Sequence, residues 1–227
     1  MDETATATAA MAVGQLRNFA KAGRKIAGAG MNYKALLPIL KVDAPKEPVI
    51  FLKPSTSYIT EGQRIVIPKG FAVNEEIELG VVIGKGGKNI EVGAAMDHVG
   101  GYCVALDMTA TSELTTARSA GLPWCIGKGF DTACPVSRFI EKSEITDPHK
   151  VQLWCTVNGQ PKQKGNTDDL IFDVPQLISF VSRYMTLEPN DLILTGSPPG
   201  MGPVHPGDTI EGGIEGLLSV KFAVTSE

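Results

Sequence analysis

No run of this 227-residue chain approaches the ~18 consecutive apolar residues that a membrane-spanning helix needs. Lysines and arginines form no block and the net charge is −4, so the chain lacks the basic footprint of a nucleic-acid binder. Cysteine is sparse. Cys103, Cys125, Cys134 and Cys155 stand far apart with no C-x-x-C pair. That excludes an obvious zinc site and reads as buried, reduced thiols of an intracellular protein. His98, His149 and His205 fall in or beside turn-forming stretches and share no spacing, so metal ligation or base catalysis by histidine is not expected. No G-x-G-x-x-G or P-loop pattern follows a strand, which removes support for a nucleotide site. Trp124 and Trp154 read as packing residues. With 43% hydrophobic and 20% charged residues, what remains is an ordinary globular composition, long enough to bury a core without staples.

Residues 1–13 are Ala/Thr-rich and read as a disordered tail, with residues 14–227 as a single catalytic domain. The tail lacks the basic and apolar regions of a secretory signal. Asp2 and Glu3 argue against a mitochondrial presequence, whereas the basic segment from Arg17 to Lys25 argues for one. The expected location is therefore mitochondrial or cytoplasmic.

Short strands dominate the pattern. Lys25–Gly30, a buried run Val49–Leu52 ending at Lys53-Pro54, residues 64–67, Gly100–Asp107 and Asp191–Leu194 all read as strands. Two alternating runs flank Asn158-Gly159, a strong hairpin signal. Residues 14–24, 34–40 and 111–120 read as short helices. Asp173 caps a further helix with Pro175 in its first turn and apolar residues at Val174, Leu177, Ile178 and Val181. Two strands near Thr209 and Leu217–Val224 close the chain. The expected fold class is mainly β with short helices (α+β), a mixed β-sandwich or roll.

One stretch stands apart. In Glu76-Ile77-Glu78-Leu79 the acids alternate with apolar residues, so strand geometry sends both carboxylates to one face and Ile77 and Leu79 to the other. Like charges that close repel unless a cation lies between them. Carboxylates are also the hard oxygen donors that Mg²⁺, Mn²⁺ or Ca²⁺ prefers. The alternative is a half-exposed strand whose glutamates face water. A third acid, Asp107, ends the strand from Gly100. Lys128 lies in W-C-I-G-K-G-F, and a Gly/Pro-rich loop runs from Thr195 to Gly202.

These pieces, in order, carry a resemblance. E-P-V-I-F-L-K-P (47–54), E-I-E-L-G-V-V-I-G (76–84), M-D-H-V-G-G-Y (96–102) and A-L-D-M-T-A (105–110) come first. G-L-P-W (121–124), L-E-P-N-D-L-I-L-T-G-S-P (187–198) and G-D-T-I-E (207–211) follow. The chain resembles the fumarylacetoacetate hydrolase family, most closely its small acylpyruvase and oxaloacetate decarboxylase members. The resemblance implies the family's mainly β roll, a homodimer and a small 2-oxo acid substrate. It implies that Glu76, Glu78 and Asp107 hold Mg²⁺ or Mn²⁺, that Lys128 stands beside the substrate, and that Ser197 meets its carboxylate. Lys53, at a strand end near these motifs, is a further substrate-binding candidate. The implied reactions are acylpyruvate C–C hydrolysis, oxaloacetate decarboxylation and keto–enol tautomerisation. A non-catalytic paralogue that keeps metal and 2-oxo acid binding is the alternative.

The departures are specific. Met31 stands where close relatives carry Arg, Leu36 and Ile39 fall where they carry a water-activating His and Glu, and Thr111 replaces a second Arg. Leu and Ile cannot transfer a proton, so hydrolysis suffers more than decarboxylation or tautomerisation. Glu75, where relatives often have His, is expected to face solvent or form a salt bridge.

Overall fold

The computed structural model describes residues 14–227; the tail expected over 1–13 lies outside the described residues. The elements in chain order are α1 (Phe19–Ala22), β1 (Ile26–Gly30), α2 (Leu36–Leu40), β2 (Val49–Lys53), β3 (Tyr58–Thr60) and β4 (Arg64–Ile67). Next come β5 (Val73–Glu75), β6 (Ile77–Ile83), β7 (Val99–Leu106), β8 (Thr109–Ala110), α3 (Thr111–Ala120) and α4 (Cys125–Gly129). Then follow β9 (Cys134–Val136), β10 (Ile140–Glu141), β11 (Gln152–Val157), β12 (Gln160–Asn166) and α5 (Val174–Tyr184). The chain closes with β13 (Leu192–Leu194), β14 (Gly202–Val204), β15 (Thr209–Ile214) and β16 (Leu218–Ser226).

Three sheets result. The largest runs β2-β1-β13-β6-β7-β9-β3, with β10 also on β7; a second runs β12-β11-β15-β16-β4; a third, β14-β5-β8, joins them. Most neighbours are antiparallel, but β1/β13, β3/β9 and β4/β16 are parallel, so the sheets are mixed. This is the mainly β roll with short helices that the strand pattern predicts.

β6 and β7 form its spine. Every residue of β6 is buried, and its register against β7 pairs Ile77 with Leu106 and Glu78 with Ala105. Ile77, Leu79, Val81 and Ile83 enter the main core, together with the inner face of α5. Val82 faces the opposite way, into a second cluster with Cys103, Ala105, Leu192 and Leu194. Covered on both faces, the strand has no wet side for a glutamate.

Local chemistry explains the elements that the sequence predicts best. Asn158 and Gly159 both take positive φ (52° and 75°), the geometry of a two-residue hairpin turn. Asp173 and Gln176 cap α5 reciprocally, with Pro175 in the first turn. Other expectations need correction. The run Val49–Leu52 is not wholly buried: β2 lies at the edge of its sheet, with Phe51 and Lys53 inward and Leu52 exposed. Cys125 is exposed rather than buried, because it opens the short surface helix α4, which the sequence reading omitted. Gly28 is required by close packing, since a Cβ there would lie 2.1 Å from the Phe51 ring.

Candidate metal centre

The acids come together where the chain changes sheets. Between β5, in the small sheet, and β6, in the large one, stands Glu76 alone. Between β7 and β8 the chain makes the same change across Asp107 and Met108. The two breaks are tied to each other, the Asp107 amide donating to the Glu76 carbonyl at 2.8 Å. Glu78 follows on β6. One carboxylate oxygen from each of Glu76, Glu78 and Asp107 lies within 4.8 Å of the others.

Two lysines face this cluster from different sides. Lys128, on α4, donates to Glu76 Oε2 at 3.1 Å, to Thr109 Oγ1 at 2.7 Å and to Asp107 Oδ2. Lys53 lies behind. Its ammonium is buried and spends its three protons on the carbonyls of Met108, Lys128 and Ala133 (3.0, 2.5 and 2.9 Å). It also forms a buried ion pair with Asp107 Oδ1 at 2.7 Å. Burial would raise the Asp107 carboxyl, but Lys128 and Lys53 outweigh it and hold that group below the usual carboxylate range. Glu78 goes the other way: burial and then the charge of Asp107 push it well above that range, only partly offset by the Gly196 amide. Glu76 is raised by burial as well, against the pull of Lys128.

The loop after β13 closes the third side. Gly196 donates its amide to Glu78 Oε2 at 2.6 Å. It holds φ at +107°, where a Cβ would also press on Asn32 at 2.9 Å, so only glycine fits this turn. Asn32 donates to the Thr195 carbonyl at 2.8 Å. Gln163, buried on β12, bridges loop and strand. It donates to Ser197 Oγ (2.7 Å) and the Pro198 carbonyl (2.6 Å), and accepts the Ile77 amide at 2.8 Å. The sequence reading missed Gln163; its only signal is a polar residue at an inward position of an alternating strand.

Over the acids opens a cavity of about 180 Å³. Glu76, Glu78, Asp107, Thr109, Lys128 and Ser197 line it, together with the polar side chains of Asn74, Thr111, Thr115 and Arg118. Lys53 is absent from the lining, so it does not occupy the substrate-facing place expected of it: Asp107 stands between. A larger apolar groove of about 480 Å³ runs past Phe51, Leu122 and Phe180 and meets the cavity only at Trp124.

Comparison with known proteins identifies the family. The family model described as the C-terminal region of fumarylacetoacetate (FAA) hydrolase matches residues 25–225. The chain belongs to the fumarylacetoacetate hydrolase family. It is 50% identical over 204 residues to a mitochondrial oxaloacetate decarboxylase of Dictyostelium discoideum, covering 89% of this chain and 94% of the relative. It is 46% identical over 210 residues to the mitochondrial oxaloacetate tautomerase FAHD1 of Homo sapiens, covering 92% and 95%. Among solved structures it is similar to a fumarylpyruvate hydrolase from Pseudomonas aeruginosa in complex with Mn²⁺ and pyruvate. There the TM-score is 0.84 and the identity 34%, over 90% of this chain and 91% of that one.

Within this family fold, the residues present fit a divalent cation. Three carboxylates, two of them buried and Glu76 partly open, each with an oxygen within 5 Å of the others, are hard donors whose repulsion two lysines only partly cancel. The positions that depart from the family pattern also lie at the cavity: Met31, Leu36 and Thr111 line it. Ile39 points away and is exposed. Glu75 corrects the expectation of solvent exposure. It is fully buried, accepts the Gly202 amide at 3.1 Å, and burial pushes its carboxyl up to about 8.

Proposed function

We propose that this protein is a Mg²⁺-dependent enzyme of small 2-oxo acids. In this reading it promotes keto–enol tautomerisation or decarboxylation of oxaloacetate in preference to acylpyruvate hydrolysis. The observation that carries the reading is the acid triad with Lys128 at the floor of a small cavity. Among the cavity's described lining residues there is no histidine and no carboxylate outside the triad.

Glu76, Glu78 and Asp107 would hold the ion, Mg²⁺ or Mn²⁺. When bound, it supplies Lewis-acid polarisation of the substrate's 2-oxo group. Lys128 places a positive charge beside the oxygen on which negative charge develops, where a fixed cation favours the transition state. Ser197, held by Gln163, offers its hydroxyl to the substrate carboxylate. Lys53 positions Asp107 from behind. A hydrolytic step needs a group that deprotonates water, and Leu36 and Ile39 cannot do so. Enolisation and decarboxylation need charge stabilisation first, which the site retains. The names of the relatives weigh against a non-catalytic binding protein, and their mitochondrial designation favours that compartment here. We take residues 14–227 to act as one catalytic unit. The strip of exposed apolar residues that includes Leu52, Leu122 and Tyr184 supports a homodimer.

The test is a proton NMR time course on fresh oxaloacetate with protein and Mg²⁺, against a protein-free control. Faster enol–keto exchange marks a tautomerase, and faster pyruvate formation a decarboxylase. Rates equal to the control in both would refute the reading.

A further inference from the structure

α3 turns one face toward the cavity. Thr111, Thr115 and Arg118 all line it, and their spacing of four and then three residues puts them on one side of the helix. Asn74 enters from β5, where it pairs with Thr109 of β8. These groups are not equally free to bind. The Thr111 hydroxyl donates to the Ala72 carbonyl at 3.1 Å, so its proton is spent within the fold. No such bond ties up the side chains of Asn74, Thr115 and Arg118 among the described residues, and all three are donors.

Arg118 is the cation of this group. Arg17, Arg24 and Arg138 each pair with a glutamate, whereas Arg118 pairs with no carboxylate among the described residues. Its guanidinium lies instead 4.6 Å over the Trp124 ring. Trp124 packs against Phe51 with ring centroids 6.5 Å apart, and the Lys128 ammonium sits 4.5 Å from the Phe51 centroid. One aromatic pair thus carries both cations of the described lining, Lys128 at the triad and Arg118 on α3. Stacking occupies the face of a guanidinium and leaves its edge donors for a planar anion.

Lys53 and Lys128 offset two of the triad's three carboxylates. A divalent ion then leaves one net positive charge, which the carboxylate beside a 2-oxo group neutralises. A second carboxylate needs another cation, and Arg118 is the one that the described lining offers. We infer that Arg118, with Thr115 and Asn74, binds the far carboxylate of a 2-oxo diacid whose oxo-acid head faces the triad. The inference rests on the reading of the triad as a divalent-metal site for 2-oxo acids. It adds the residue that selects short diacids such as oxaloacetate over monoacids.

Calorimetric titration of the Mg²⁺-loaded protein tests this by binding rather than turnover. The probes are oxalate, which carries the chelating head alone, and two five-carbon acids that differ in the far group, the diacid 2-oxoglutarate and the monoacid 2-oxovalerate. The wild type should bind 2-oxoglutarate about fivefold more tightly than 2-oxovalerate, a modest ratio because Arg118 is exposed. Arg118→Met keeps an unbranched side chain over Trp124 and should abolish that preference, with oxalate and 2-oxovalerate affinities unchanged. Arg118→Lys, which restores the charge, should recover part of it. In steady-state kinetics on oxaloacetate, Arg118→Met should raise KM about fivefold with kcat little changed. Equal binding of the two five-carbon acids by the wild type, or a preference that survives in Arg118→Met, overturns the inference; oxalate binding then leaves the metal-site reading standing. An equal loss of oxalate and 2-oxovalerate binding in Arg118→Met would mark a merely structural arginine and overturn it as well. Failure of every probe, oxalate included, overturns both.

Discussion

At the residue scale, two buried charges differ in what their loss should do. Asp107 serves two masters: it belongs to the triad and it is the counter-charge of Lys53, whose ammonium is buried. Asp107→Asn leaves that ammonium with carbonyls but no anion, and should cost on the order of 3 kcal/mol of stability in urea denaturation. Glu76 has no such partner at its back and is partly open to the cavity. Glu76→Gln should fold with near-normal stability and lose divalent-ion binding. Glu75 predicts a pH effect of definite sign. Its carboxyl is raised from the usual range to about 8, so the folded state holds a proton that the unfolded state releases near pH 4.5. The stability it contributes is complete below pH 4.5 and is lost as pH rises through about 8. Glu75→Gln, which mimics the protonated acid, should flatten the fall in melting temperature between pH 5 and 8.5. An unchanged slope in thermal scans would mean that Glu75 is ionised within the fold.

At the element scale, the active cavity depends on a brace between two sheets. Gln163 sits on β12 in one sheet yet holds the β6 backbone of another and the loop that carries Ser197. Gln163→Leu keeps the volume and removes these bonds. It should raise KM for a 2-oxo acid about tenfold through the displaced loop, while divalent-ion affinity moves far less. Steady-state kinetics paired with metal titration separates the two. The elements most legible in the sequence are those whose cause is local: the Asn158-Gly159 hairpin, the Asp173-capped α5 and the 111–120 helix. The interruption of the strands at Glu76 and at Asp107-Met108 was not legible, because a change of sheet is imposed by distant partners. α4 escaped notice since C-I-G-K-G has poor intrinsic helicity; tertiary packing against β2 and β8 holds it. Glu75 was legible and was misread. In strand alternation it shares parity with Ile77 and Leu79, the buried face.

At the scale of the molecule, the roll brings acids from two chain breaks and from β6, the lysine of a short helix and the loop after β13 to one small cavity, with Lys53 of the edge strand behind Asp107. None of these groups is a neighbour of the others in sequence except Glu76 and Glu78. The described lining of this cavity comes from a single chain, so metal stoichiometry should follow chains. The central claim is that the three carboxylates hold one divalent ion. Titration with Mn²⁺ followed by electron paramagnetic resonance tests it most directly. One tight site per chain is expected for the wild type, weakened on the order of a hundredfold in Glu78→Gln with an unchanged circular dichroism spectrum. Equal Mn²⁺ binding by both proteins would contradict the account.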